Sequence, residues 1–148
     1  MTFVSRQSIV FSLCLTGALL GCGSDAKERT FIRNQIAALT TSTSETIDLS
    51  QVGSSSWSQL CILTPYSTNE TAKSILGFEW DAENKTNIHS NDSITVLVFA
   101  SDDEVEHYVA YPRKDGDFSL IEPSCLSRDR AKFVPERNDG SVRFVVAN

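Results

Sequence analysis

The sequence predicts an α+β protein with an antiparallel sheet of about five strands, one or two short helices and one disulfide bond. Runs rich in β-branched residues recur through the second half of the chain, and turn residues separate them. Signals for a helix occur at two places: amphipathic spacing over residues 26–39, and a capping box followed by a glycine cap around residues 68–76. Strands therefore predominate, no internal repeat is visible, and few helices accompany the strands, which is typical of the α+β class.

The first 21 residues have the organisation of an export signal. Arg6 gives the start a positive charge, and residues 9–20 follow as an uncharged, mostly apolar run. A run of this length is too short for a permanent membrane-spanning helix but is typical of a cleaved secretory signal. The alternatives are an ordinary secretory signal, in which Cys22 has no special role, and an N-terminal anchor helix.

The end of this segment, Leu19-Leu20-Gly21-Cys22, resembles the lipobox of bacterial lipoproteins: an aliphatic residue, two small or medium residues, then cysteine. The resemblance implies cleavage after Gly21, diacylglycerol on the sulfur of Cys22 and a further acyl chain such as palmitate on the new amino terminus. Two or three chains form a permanent anchor, because each buried methylene contributes about 0.8 kcal/mol. Gly23 stands where the enterobacterial inner-membrane retention signal has Asp, which implies the outer membrane.

Composition indicates one ordinary globular domain. Without residues 1–21, 127 of the 148 residues remain, and 41% of the chain is hydrophobic and 22% charged. The formal charge is −6, and losing Arg6 makes the mature chain one unit more negative. Repulsion then disfavours nucleic acid, so no nucleic-acid partner is predicted. We predict that residues 22–46 form a lipid-anchored tether and that residues 47–148 form a single domain.

Cys61 and Cys125 are the cysteines left for this domain, because Cys14 lies in the signal and Cys22 carries lipid. An even pair in an exported protein is usually bridged. Neither cysteine belongs to a Cys-x-x-Cys motif or has a histidine at metal-ligand spacing, so a metal pair or a reactive thiol is less favoured. The sequence predicts a Cys61–Cys125 disulfide.

The tether contains a predicted amphipathic helix over residues 26–39, because Ile32, Ile36 and Leu39 follow i, i+4, i+7 spacing. Such a helix could lie on the membrane or dock its apolar stripe on the domain. Docking is favoured, because the basic enrichment typical of a membrane surface is lacking. Residues 40–46 are predicted to be a polar linker.

The domain is predicted to begin near Ile47, with strands over residues 57–64, 93–100, 105–111, 118–121, 131–134 and 142–146. Both faces of the first strand carry apolar residues, which indicates a central strand. A helix over 68–76 is predicted, with Ser67 and Glu70 as a capping box and Gly77 as a left-handed cap. Residues 81–92 are predicted to be a loop, and Asp-Gly pairs at 115–116 and 139–140 to form tight turns.

Chemistry-bearing motifs are lacking, so no catalytic residue, cofactor or metal site is predicted. His89 and His107 lack zinc-site spacing. The serines lack a GxSxG context, although a serine–histidine–acid triad assembled by folding is not readable from sequence. The acidic run 102–104 lacks the EF-hand pattern and is read as a hairpin turn rather than a calcium site. Trp80 and Tyr108 are the aromatic residues expected to be partly exposed.

These observations favour a cell-envelope lipoprotein whose partners are the membrane, through Cys22, and another protein, with a non-enzymatic binding or assembly role. One alternative is an inhibitor-type module that binds a cationic enzyme such as lysozyme through a protruding loop, either 81–92 or 101–104. The serine-glycine-alanine loop motif of the membrane-bound lysozyme inhibitors is absent from the sequence. The other alternative, a small ligand-binding protein or hydrolase, has no supporting motif.

Overall fold

The computed structural model describes residues 22–147, with side chains from Ala26 onward. The predicted signal peptide, residues 1–21, lies outside the described residues. The helices are α1 (Cys22–Thr40), α2 (Asn69–Leu76) and α3 (Ala82–Thr86). The strands are β1 (Ile47–Asp48), β2 (Gln59–Leu63), β3 (Ile94–Ala100), β4 (Val105–Pro112), β5 (Cys125–Ser127), β6 (Lys132–Asn138) and β7 (Ser141–Val146). Within residues 22–147, none of the helices has the length and hydropathy needed to cross a membrane.

The strands form two antiparallel sheets, which confirms the predicted α+β class. The four-stranded sheet has the order β4-β3-β2-β5, and the three-stranded sheet has the order β1-β6-β7. The described strands thus number seven in two sheets, where about five in one sheet were predicted. Two sheets form where one was predicted, because the last hairpin, β6-β7, pairs with the short β1 and does not join the larger sheet.

The four-stranded sheet has a hydrophobic core on each face, as the two-sided apolar pattern of β2 predicts. On one face, residues such as Leu60 and Phe99 pack with α1 and with Phe133 and Phe144 of the smaller sheet. On the other face, apolar residues of β2 and β3 pack with α2 and α3. Successive side chains of a strand point to opposite faces, so an almost fully apolar strand requires a partner layer on both sides.

The predicted disulfide between Cys61 and Cys125 is present, and it joins two adjacent strands. The neighbouring Ile62 N–H donates to the Ser124 carbonyl at 2.7 Å, so Cys61 and Cys125 face each other at a non-hydrogen-bonded pair. Directly opposed residues approach most closely at such pairs, and their Cα atoms here are 4.0 Å apart. The bridge therefore fastens the short edge strand β5 to the centre of the sheet.

Helix α1 docks on the domain through its apolar stripe, which is the favoured alternative of the two. Ile32 and Ile36 are fully buried in the core between the two sheets, and Leu39 packs against it. At the end of the helix, the buried Thr40 and Tyr111 hydroxyl groups lie 2.8 Å apart. Burial raises the pKa of the Tyr111 phenol, so this hydroxyl remains protonated and able to donate. The segment that includes Ile32 and Ile36 is thus packed as part of the body.

Residues 118–121 were predicted to form a strand, and this was wrong. The segment is a turn, held because Ser119 N–H donates to Asp117 Oδ1 at 2.8 Å. The Phe118 side chain is completely buried, with its ring stacked 4.3 Å from that of Phe144. A single large buried residue such as Phe118 occurs in tight turns as well as in strands. The apolar pattern alone therefore led to the wrong assignment of a strand.

Residues 81–92 were predicted to be a loop, and this too was wrong. Asp81 caps α3 by accepting from Asn84 N–H, and a 3₁₀ turn, Ile88–Ser90, follows. Ala82 and Ile88 are fully buried in the second core. The polar residues between Ala82 and Ile88 face solvent, so the sequence of this segment lacks the apolar spacing that predicts a helix.

The predicted capping box of α2 is also corrected. Thr68 is the N-cap and accepts from Thr71 N–H, while the Ser67 hydroxyl donates to the Thr64 carbonyl. Glu83 of α3, not Glu70, accepts the Asn69 N–H, at 2.8 Å. A side chain of the neighbouring helix thus satisfies one of the free N–H groups at the start of α2. Gly77 ends the helix at φ 85° as predicted.

The two Asp-Gly turns should respond differently to Gly→Ala substitution. A Cβ on Gly116, at φ 151°, would overlap the Phe144 ring, whereas a Cβ on Gly140, at φ 81°, meets open space. We expect Gly116→Ala to lower the free energy of unfolding by about 2–4 kcal/mol. The matched control Gly140→Ala should cost about 1 kcal/mol, the ordinary penalty of a left-handed residue. Urea denaturation measures both, and equal losses would contradict the packing described at Phe144.

Candidate functional site

The candidate site is the α1 groove, a cleft of about 270 Å³ between α1, α3 and β4. Its polar lining consists of Arg29, Thr30, Arg33, Lys85, Thr86, Asn87 and Tyr108. A second cleft of about 300 Å³ adjoins it, shares Arg29, Lys85 and Tyr108, and adds Trp80 and His107. Both exist because α1 runs along β4, the edge strand of the four-stranded sheet. Consecutive residues His107 and Tyr108 point to opposite faces of this strand, and both reach the helix.

Tyr108 lines both clefts, and Trp80 packs against it in the second cleft. The rings of Trp80 and Tyr108 meet edge to face with centroids 5.2 Å apart, and both residues are half-buried, as predicted. The Arg29 guanidinium lies over the Tyr108 ring, 5.1 Å from its centroid. This contact holds the Arg29 guanidinium at the mouth of the groove, and it leaves the guanidinium N–H donors free to bind a ligand.

The groove concentrates positive charge on an acidic protein. Arg29, Arg33 and Lys85 line it together, and none of them forms a salt bridge within residues 26–147. Asp81 precedes Lys85 by one helical turn, but its carboxylate accepts from Asn84 and Asn69. The Asn84 hydrogen bond holds the pKa of the Asp81 carboxyl below its ordinary value, with a smaller contribution from the charge of Lys85. An anionic ligand would supply the missing counter-charge.

A chain of polar side chains runs beside the groove and is centred on His107. Its Nδ1 lies 3.4 Å from Glu28 Oε1 on α1, and its Nε2 lies 2.9 Å from the Ser54 hydroxyl. Ser54 and Ser56 hydroxyl oxygens are 2.5 Å apart, and Ser56 donates to Glu106 at 2.9 Å. The His107 side chain is only 8% exposed. Folding thus assembles a serine–histidine–acid arrangement that the sequence does not reveal.

The protons of this chain do not fit an activated serine nucleophile. Because Ser56 gives its proton to the Glu106 carboxylate, Ser54 must give its own proton to Ser56. In this arrangement Ser54 accepts from His107, so Nε2 carries the hydrogen and donates it to Ser54. The arrangement connects α1, the 54–56 loop and β4 as a structural network, and it occupies both nearby carboxylates, Glu28 and Glu106.

Gly53 permits the network to form. It has φ 71°, and a Cβ at this position would come within 3.1 Å of the His107 ring. The glycine stands immediately before Ser54, so the loop can pass close to the imidazole and present the hydroxyl to Nε2. The sequence gives one signal for this: a glycine directly preceding three serines.

The other residues considered from sequence lie elsewhere. Cys22 is the first residue of α1, and Cys61 and Cys125 are bridged in the sheet. His89 is exposed in the 3₁₀ turn after α3, and residues 102–104 are exposed in the β3–β4 turn. Among the described residues, no three His, Cys, Asp or Glu side chains are grouped so that they could hold a metal ion. In comparisons with known proteins, no protein-family model, no curated protein and no solved structure matches this chain.

The two histidines should differ in their contribution to stability. His107→Leu removes the hydrogen bond to Ser54 and the contact with Glu28, and we expect a loss of about 0.5–1.5 kcal/mol in the free energy of unfolding. His89→Leu, the matched control at an exposed position, should change it by less than about 0.5 kcal/mol. Chemical denaturation of both variants tests this, and an unchanged midpoint for His107→Leu would contradict the network.

Proposed function

We propose that this chain is a lipid-anchored protein of the bacterial cell envelope, with a non-enzymatic role in binding a partner. Leu19-Leu20-Gly21-Cys22 supports the anchor by its resemblance to a lipobox, and Gly23 favours the outer membrane. The Cys61–Cys125 bridge supports export, because disulfides persist in oxidising compartments and are rare in the cytosol.

The position of Cys22 carries most of this proposal. It is the first residue of α1, and Ile32 of the same helix is buried in the core. Ten helical residues span about 15 Å, so an acyl chain on Cys22 would hold the body close to the bilayer surface. Residues 41–46 follow the docked helix and therefore do not separate the anchor from it. A protein held this way suits presentation of one defined surface beside the membrane.

The binding role is supported by the α1 groove. It collects three cations that lack salt bridges in the described part of the chain, beside a half-buried aromatic pair. Such a combination of charge and exposed aromatic surface is typical of recognition sites. The His107 network lies next to the groove and connects α1 to β4, which form its walls. The serine–histidine pair therefore has a structural role that requires no catalytic reaction.

A second candidate function is an inhibitor-type module for a cationic enzyme. The favouring observation is the β3–β4 turn, residues 101–104, where Asp102, Asp103 and Glu104 are all exposed. The other loop considered for this role, residues 81–92, is packed through Ala82 and Ile88 and does not fit it. If the turn binds a lysozyme, D102N/D103N/E104Q should abolish inhibition, and added salt should weaken it. Unchanged lysozyme activity with the wild-type chain would remove this candidate.

Two cysteine substitutions test the anchor. Cys22→Ser should abolish incorporation of labelled palmitate and move the protein from the membrane to the soluble envelope fraction, because the acylated sulfur is lost. Cys14→Ser, within the apolar part of the signal, is the matched control and should leave both properties unchanged. Palmitate labelling followed by membrane fractionation measures both variants. Full labelling and membrane retention of Cys22→Ser would contradict the proposal.

A further inference from the structure

We propose that the α1 groove binds the phosphate of a membrane-lipid headgroup. The three cations at its rim, Arg29, Arg33 and Lys85, come from two separate elements, α1 and α3, and converge on one cleft. The lining of this cleft contains no Asp or Glu. A tetrahedral dianion or monoanion can accept from several guanidinium and ammonium donors at once, which a single carboxylate cannot match.

Among residues 26–147, the nearest acids form no salt bridge with these cations. Glu28 and Glu106 line the adjoining cleft, but Glu28 contacts His107 and Glu106 accepts from Ser56 at 2.9 Å. Both carboxylates keep their charge, but these contacts hold them in the adjoining cleft, outside the lining of the α1 groove. Overall the chain is acidic, with formal charge −6, so a general attraction to anions is absent and any binding must come from this local cluster.

The lipid headgroup is favoured over other phosphates by position, and here the inference rests on the proposed anchor. Arg29 follows Cys22 by seven helical residues, or about 10 Å along the axis. The headgroup layer of one leaflet is about 5–7 Å thick. The axial separation exceeds this thickness by only about 3–5 Å, which an extended arginine side chain can span, so the groove lies within reach of the headgroups. Trp80 and Tyr108, which have an apolar body and a polar tip, are the residue types enriched at that level.

Binding can be measured on the full chain purified from cells in a neutral detergent. The probes are inorganic phosphate, glycerol 1-phosphate and dihexanoyl phosphatidylglycerol, with poly-glutamate as a carboxylate probe. The groove variant is R33Q/K85Q, and the matched control is K114Q/R137Q, which removes the same charge at exposed positions outside the groove. Titration is followed by backbone amide shifts of the residues that line the groove.

We expect the lipid and glycerol 1-phosphate to shift the groove amides. The groove variant should weaken their binding about tenfold or more, since two charge-assisted contacts are lost, while the control binds like wild type. Three results would overturn the proposal: no shift with either phosphate ester, equal binding by both double variants, or tighter binding of poly-glutamate. Equal affinity for inorganic phosphate would assign the groove to the free anion and overturn the lipid assignment. None of these results depends on acylation of Cys22, so they separate this inference from the proposed anchor.

Discussion

The burial of Ile32 and Ile36 against the sheets is the interaction on which the rest of the structure depends. Fully burying two such side chains contributes about 3–6 kcal/mol. This contribution fixes α1 along the edge strand β4. The same docking brings Glu28 to His107, Arg29 to Tyr108 and Thr40 to Tyr111. Without it the α1 groove would lose one of its walls.

The distribution of charge beside α1 follows from that docking. His107 contacts Glu28 directly and reaches Glu106 through two serines, so both acids are held within one network. Arg29 is held in a different way, by the face of an aromatic ring, which does not neutralise it. A chain with excess acid therefore presents a local basic rim. Both the network and the groove depend on consecutive residues of β4 that face opposite sides of the strand: His107 forms the network, and Tyr108 lines the groove.

The sequence predicted those features whose causes are local. The alternation in β2 required two covered faces, the spacing of Ile32 and Ile36 required a docked stripe, and Gly77 ended a helix in the expected conformation. Asp139-Gly140 forms the predicted tight turn with φ 45° and 81°, which suits a type I′ hairpin.

Features determined by distant contacts were missed. Asp115-Gly116 precedes a turn and not a strand, because Phe118 fills a space between the sheets that only the fold creates. Residues 81–92 became helical around two buried anchors, Ala82 and Ile88. The α1 groove combines residues from positions 26–33, 85–87 and 108–110, and the His107 network joins residues up to 79 positions apart. No local pattern contains such a combination, so neither site was predictable from sequence.

The most direct test of this account is amide hydrogen exchange of α1 in the membrane-bound protein. If the helix is an integral part of the core, the amides around Ile32 and Ile36 should exchange as slowly as those of the central strand β3, in vesicles and after release from them. Exchange of these amides within seconds, while β3 stays protected, would show that the helix is a loose tether and would contradict the account.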